Sequence, residues 1–270
     1  MSQFSACSRR TGPASLQSSR LERLCLGWLK YLALFAIGFN VALAATHELG
    51  FSRSVTQGLV EHFSAQFGQG SKRRIGDWQA FVRSFPAEQR AGGDVERVRL
   101  VRAFSAEQRQ RSGSDLELLN SVNAFFNGVS YVSDLTHWGV EDYWASPAEM
   151  LASDGGDCED FSIAKYFALK ELGVPIERLR ITYVKAVRLN QAHMVLAYYP
   201  EPNAVPLILD NLEDQVKPAS QRADLIPVYS FNDEDLLLVR QGQPAASAGS
   251  SSQIRLWRSL LDKLEKELLF

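Results

Sequence analysis

Apolar residues recur three to four positions apart at Leu59, Phe63 and Phe67, at Trp78, Phe81 and Phe85 before Pro86, and at Leu100 and Phe104. That spacing puts side chains on one face of a helix. Residues 49–111 are therefore predicted to be helices with polar connections, and the Arg and Gln between the apolar positions to be their solvated surface. A further helix is expected over Asp115 to Phe126, with Leu118, Val122, Phe125 and Phe126 inward and Gly128 ending it. An aromatic loop holding Tyr131, His137, Trp138, Tyr143 and Trp144 follows. At Gly155-Gly156-Asp157 the chain can turn tightly into a helix that carries Cys158, Phe161, Ala164, Lys165, Ala168 and Leu172 near one stripe. Gly173 and Pro175 mark its end.

After this helix the period falls to two. Arg180 to Val187, His193 to Tyr199 and Pro206 to Leu212 read as strands of an antiparallel sheet, joined at Asn190-Gln191 and Glu201 to Ala204. Helices first and sheet afterwards predict an α+β architecture rather than a doubly wound sheet. Residues 241–252, rich in Gly, Ala, Ser and Gln, read as a flexible linker. Beyond them Ile254, Trp257, Leu261, Leu264 and Leu268 form one stripe of an amphipathic helix over 253–270, for which docking on the chain's own domain is favoured over binding a partner. No internal repeat is visible.

The N-terminus modifies this picture. Arg9, Arg10, Arg20, Arg23 and Lys30 precede an apolar run from Tyr31 to Leu43, which ends in the small-x-small triplet Ala42-Leu43-Ala44. This order is that of a secretory signal peptide over residues 1–44, with the mature chain starting at Ala45 and lying in the periplasm; an uncleaved anchor is the alternative. The folded domain would then occupy 45–240. Of the 270 residues, 46% are hydrophobic and 22% charged, as in an ordinary globular protein. Without the leader the formal charge is (29 − 5) − (31 − 1) = −6, which argues against nucleic acid as a partner.

Cys7 and Cys25 lie in the leader, so the mature chain keeps Cys158 alone and cannot close an internal disulfide. A lone thiol in an oxidising compartment is either buried and inert or chemically employed. Cys158 sits at a predicted helix N-terminus, where the helix dipole favours a thiolate. It is followed in the chain by His193 and Asp210, a base and a group that could orient it. Taken singly, each has a plain structural explanation: a core cysteine, a satisfied histidine, a turn-forming aspartate.

The segments Gly156 to Phe161, Ala164 to Phe167, Gln191 to Leu196 and Leu209 to Asn211, with Asn123 to Asn127 and His137 to Trp144 upstream, resemble the bacterial transglutaminase-like cysteine proteinases. The resemblance runs from about residue 75 to about residue 240 and implies a papain/transglutaminase-like core. It makes Cys158 the nucleophile, His193 the general acid/base and Asp210 the residue that orients His193. The backbone N–H of Cys158 is the natural first oxyanion donor, with Trp138 and Tyr143 as candidates for the second, although a substrate-groove or core role is favoured for each.

Asp157, Glu159 and Asp160 crowd the thiol with negative charge, which opposes thiolate formation. These acids could simply favour the helix N-terminus. The resemblance instead implies that they bind Ca²⁺, whose ligands are oxygens, although they do not form an EF-hand loop. It further implies a calcium-dependent periplasmic endopeptidase that cuts a large surface adhesin near its N-terminus to disperse biofilm. Such an enzyme would be held in check by the periplasmic domain of an inner-membrane cyclic diguanylate receptor. A transglutaminase or a peptidoglycan amidase could use the same three residues, and a binding module could keep the fold without the chemistry.

Overall fold

The computed structural model describes residues 57–85, 112–239 and 245–267. The described residues fall within a single compact unit. Two helices open it, α1 (Gln57–Phe67) and α2 (Gln69–Ser84), burying Leu59, Phe63, Ile75, Trp78 and Val82. Leu59, Phe63 and Trp78 are among the positions that the helical spacing singled out, whereas Phe67, Phe81 and Phe85 are only partly buried; Trp78 is fully enclosed and tilted against Phe125 and Phe126 of α3 (Ser112–Asn127). Leu100, Phe104, the apolar run 31–43 and the expected cleavage site lie outside the described residues. Among the described helices none is long and apolar enough to cross a membrane.

Two short strands, β1 (Ser130–Tyr131) and β2 (Gly155–Gly156), pair in parallel. Between them lie α4 (Asp134–His137) and α5 (Pro147–Ser153). Helix α5 starts on a capping box in which Ser146 accepts from the N–H of Glu149 while Glu149 accepts from the N–H of Ser146. The β1–β2 pair delivers the chain into α6 (Cys158–Glu171). The sequence suggested one apolar stripe on α6, yet Phe161, Ile163, Ala164, Tyr166, Ala168 and Leu169 are all buried. The helix is central: β3 and β4 cover one side, α3 and α5 the others. A helix enclosed on several sides has no wet face to give a clean amphipathic pattern.

The main sheet has seven strands in the order β6-β5-β4-β3-β7-β8-β9. β3 (Leu179–Ala186), β4 (Gln191–Tyr198) and β5 (Leu207–Leu209) correspond to the three predicted runs, paired antiparallel with Val184 opposite His193 and Leu196 opposite Leu209. β6 (Lys217–Pro218), β7 (Leu225–Phe231), β8 (Asp235–Leu238) and β9 (Ala246–Ser250) went unpredicted. The mixture of helices and antiparallel sheet is the expected α+β class. The expected linker over 241–252 is corrected: from Ala246 the chain is an ordered edge strand on β8, followed by a turn of 3₁₀ helix at Ser251–Gln253. Its small residues carry no strand propensity, but the open backbone of β8 supplies hydrogen-bond partners that composition cannot reveal.

Helix α7 (Arg255–Glu267) docks on the same unit, so it is not a separate appendage. Trp257 is fully buried, stacked on Phe167 and edge-on to Tyr166 and Phe231, with Leu260 beside it. Lys263 donates to Glu149 and to the carbonyl of Trp144, and Ser146 donates to Glu267.

Candidate active site

Cys158 is the first residue of α6, placed there by the close approach that the two preceding glycines permit. A Cβ on Gly156 would stand 2.8 Å from both Cβ and Oδ2 of Asp160, and one on Gly155 would stand 2.9 Å from the ring of His137. Asp160 is itself buried and ties the turn together: its Oδ1 accepts from the N–H of Ala145 (2.7 Å) and its Oδ2 from the N–H of Asp157 (3.2 Å). Among the described residues Cys158 is the free cysteine.

Cys158 and His193 line one cavity of about 740 Å³, together with Tyr131, Asp157, Glu159, Asn211, the stacked pair Tyr183 and Tyr229, and Ile254 to Leu256. The backbone N–H of Met194, next to His193, is close enough to the thiol to favour its thiolate. His193 Nε2 lies 2.8 Å from Asp210 Oδ1, which leaves Nδ1 as the ring nitrogen not used by that contact. The pairing follows from the sheet: β5 runs antiparallel to β4, and Asp210, the residue after β5, comes up beside the start of β4. The three residues that the sequence nominated as a triad are thus brought to one end of the sheet.

Asp210 is almost wholly buried, which pushes its carboxyl up. The hydrogen bond and charge of His193, the N–H of Leu212 and the Arg222 guanidinium outweigh that burial and hold it at about 2. It is therefore a carboxylate at neutral pH. Cys158 shows the opposite balance: burial, then the charge and hydrogen bond of Glu159, then Asp157 push the thiol up against the pull of the Met194 N–H. In this state Sγ–H donates to Glu159 Oε2 at 3.0 Å.

The acids around Cys158 form a larger cluster than the sequence nominated. Asp157 and Glu159 group with the cysteine, Asp134, Asp157 and Asp160 form a second group, and Asp134, Asp142 and Glu159 a third, with the potential ligand atoms of each within 4.8 Å of one another. Burial, then Glu159, pushes Asp157 up to about 8; burial, then Asp157 and Asp142, pushes Asp134 up to about 6 against the N–H of Tyr143. Burial, then neighbouring acids, also raises Asp160 well above the carboxylate range despite the Ala145 N–H. Oδ1 of Asp134 and Oδ1 of Asp157 are buried with no hydrogen-bond partner. Crowded carboxylates with unsatisfied oxygens are suited to a hard cation that accepts oxygen ligands.

Asp134 and Asp142 were not nominated with the other acids because they lie 23 and 15 residues before Asp157, in the aromatic loop that folds back over β2. Trp138 and Tyr143 do not line the cavity: Trp138 packs on Phe67 and Tyr143, while the Tyr143 hydroxyl donates to Glu149. Neither is placed to act as the second oxyanion donor. Tyr131 and Gln191 do line the cavity and were not nominated as site residues, although Gln191 opens one of the family-like segments.

Comparison with known proteins is consistent with this geometry. A family profile described as bacterial transglutaminase-like cysteine proteinase BTLCP matches residues 99–225. The chain is also similar to solved structures of Legionella pneumophila LapG at 36% identity over 76% of its length. These are an EGTA-treated form covered over 97% of its chain (TM-score 0.57), a form covered over 95% (0.57) and a calcium-bound form covered over 97% (0.56). The chain belongs to the bacterial transglutaminase-like cysteine proteinases. It is accordingly a cysteine protease with a LapG-like fold. No curated protein matches it.

Proposed function

We propose that this proteinase is a calcium-dependent periplasmic endopeptidase whose nucleophile is Cys158, with His193 as general acid/base and Asp210 as its orienting partner. The observation that carries this reading is the shared cavity. There a thiol on a helix N-terminus and an imidazole locked to a buried carboxylate share the wall with Asp157, whose Oδ1 is buried and unpaired.

The proton of Cys158 passes to His193, and the thiolate sulfur attacks the peptide carbonyl carbon. The oxyanion develops beside the N–H groups of the first turn of α6. His193 then gives its proton to the departing amine, leaving a thioester on Cys158. Water, deprotonated by His193, attacks the thioester; the C–S bond breaks, the acid leaves and the thiol is restored. Asp210 keeps His193 in the tautomer that can do this and offsets the imidazolium charge.

Asp134, Asp142, Asp157, Glu159 and Asp160 would hold Ca²⁺. When bound, it supplies positive charge against the carboxylates that oppose the thiolate. The calcium-bound and EGTA-treated forms of the Legionella relative support this assignment.

The substrate is proposed to be a large surface adhesin cut near its N-terminus, releasing it and dispersing biofilm. The proposed inhibitor is the periplasmic domain of an inner-membrane cyclic diguanylate receptor. The test incubates the purified protein with the N-terminal region of the host's large adhesin, in Ca²⁺ or EGTA, and maps products by mass spectrometry. A single cut is expected in Ca²⁺, absent in EGTA and in Cys158→Ala. A cut that survives Cys158→Ala would sink the nucleophile assignment. Incorporation of a labelled amine in preference to water would favour the acyltransferase alternative.

A further inference from the structure

Asp210 can orient His193 only if its own carboxylate is held, because a buried carboxylate bonded through one oxygen is free to turn about its side-chain torsions. Oδ1 accepts from His193 (2.8 Å) and from the N–H of Leu212 (3.0 Å). Oδ2 accepts from Nη2 of Arg222 at 2.6 Å. The guanidinium is itself fixed from the far side, with Nε 3.1 Å from Oδ1 and Nη2 2.9 Å from Oδ2 of Asp224. Its backbone is pinned in the turn between β6 and β7: the N–H of Arg222 donates to the carbonyl of Ala219, and the N–H of Leu225 donates to that of Arg222. Arg222 is only 7% exposed, so this pair is not the weak, screened kind found on surfaces.

We propose that Arg222 is a positioning residue of the reaction: anchored by Asp224, it clamps the second oxygen of Asp210 and so fixes the angle at which Asp210 presents its first oxygen to His193. The proposal rests on reading Cys158, His193 and Asp210 as the catalytic set. A planar fork can bridge two carboxylates at once in a way an ammonium cannot, so lysine here would keep the charge but lose the geometry. Lys165, buried on α6, adds a second tie: its ammonium donates to Asn127 Oδ1 (2.7 Å), and Asn127 Nδ2 donates to the backbone carbonyl of Asp210 (3.0 Å). The titratable and charged groups facing the His193–Asp210 pair and its supports are therefore Cys158, Arg222, Asp224, Lys165 and Asp214, the last bonded to Asn127.

The test compares Arg222→Met, Arg222→Lys and Asp224→Asn in the full chain. One readout is kcat and KM on the cleaved protein; the other, which needs no substrate, is the proton NMR signal of His193 Nε2–H in histidine-labelled enzyme. Arg222→Met is expected to lower kcat by about 10- to 100-fold, the cost of a misplaced catalytic group, while KM stays within about twofold. The His193 signal should shift or broaden. Arg222→Lys should recover kcat only in part, and Asp224→Asn should fall between the lysine variant and the parent. Should Arg222→Met fail to fold, the other two decide: wild-type kcat and an unmoved His193 signal in both would overturn the proposal. A folded Arg222→Met that changes KM alone would overturn it as well. Failure of the catalytic assignment is separable, since it would leave alkylation of Cys158 by iodoacetamide equally fast in the parent and in His193→Ala.

Discussion

Replacing Trp257 by alanine should damage substrate binding before it damages the chemistry. The side chain is fully buried among Phe167, Tyr166 and Phe231, and it anchors α7, whose first residues Arg255 and Leu256, with Ile254 before them, form part of the cavity wall. Truncating a buried tryptophan costs roughly 3 to 5 kcal/mol, and each lost aromatic pair contributes about 0.5 to 1.5 kcal/mol within that range. The remaining anchors of α7 are Leu260, the Lys263 contacts with Glu149 and Trp144, and the Ser146–Glu267 hydrogen bond. Neutral hydrogen bonds contribute about 1 kcal/mol each and charged ones about 2, so the loss is comparable with the polar contacts that remain. Local release of α7 is therefore expected ahead of global unfolding. Limited proteolysis should clip the variant within 245–267 at a temperature where the parent resists, and KM should rise while alkylation of Cys158 keeps its parental rate. An unchanged KM in a variant that is demonstrably clipped would refute the idea that this segment builds the cleft.

Asp134→Asn and Asp157→Asn should each weaken calcium binding by about tenfold or more, read by calorimetry and by a smaller calcium-induced rise in melting temperature as well as by activity. Glu267→Gln should flatten the pH dependence of stability. Burial holds Glu267 up to about 7 against the Ser146 bond, so the folded state keeps its proton where the unfolded state has lost it. That contribution, on the order of 3 kcal/mol, is complete below the unfolded value near 4.5 and disappears as pH rises through 7. Melting curves at pH 5 and pH 8 test it, and equal pH slopes in parent and variant would contradict it. Gly156→Ala should cost about 1 to 3 kcal/mol and most of the activity, because the new methyl meets Asp160 in the turn that carries Cys158.

The three candidate catalytic residues were legible because each sits at an element boundary that local chemistry marks: glycines before Cys158, period-two runs around His193 and Asp210. The apolar stripe of α7 likewise foretold its buried Trp257. Legibility failed where partners come from far along the chain. Asp134 and Asp142 join the acidic cluster only because β1 pairs with β2, and Arg222 meets Asp210 only because a turn between two unpredicted strands folds back. The strand of Ala, Ser and Gly at 246–250 shows the same limit from the other side, since its structure is supplied by the edge of β8 rather than by its own side chains.

A cation held by the carboxylates beside Cys158 should allow that thiol to act as a nucleophile. The direct measurement is the rate at which iodoacetamide alkylates Cys158 at pH 7 in saturating Ca²⁺ and in EGTA, followed by intact mass. The charge balance at the site predicts alkylation at least about tenfold faster with Ca²⁺, equivalent to about 1.4 kcal/mol of thiolate stabilisation. Equal rates in the two conditions would contradict it.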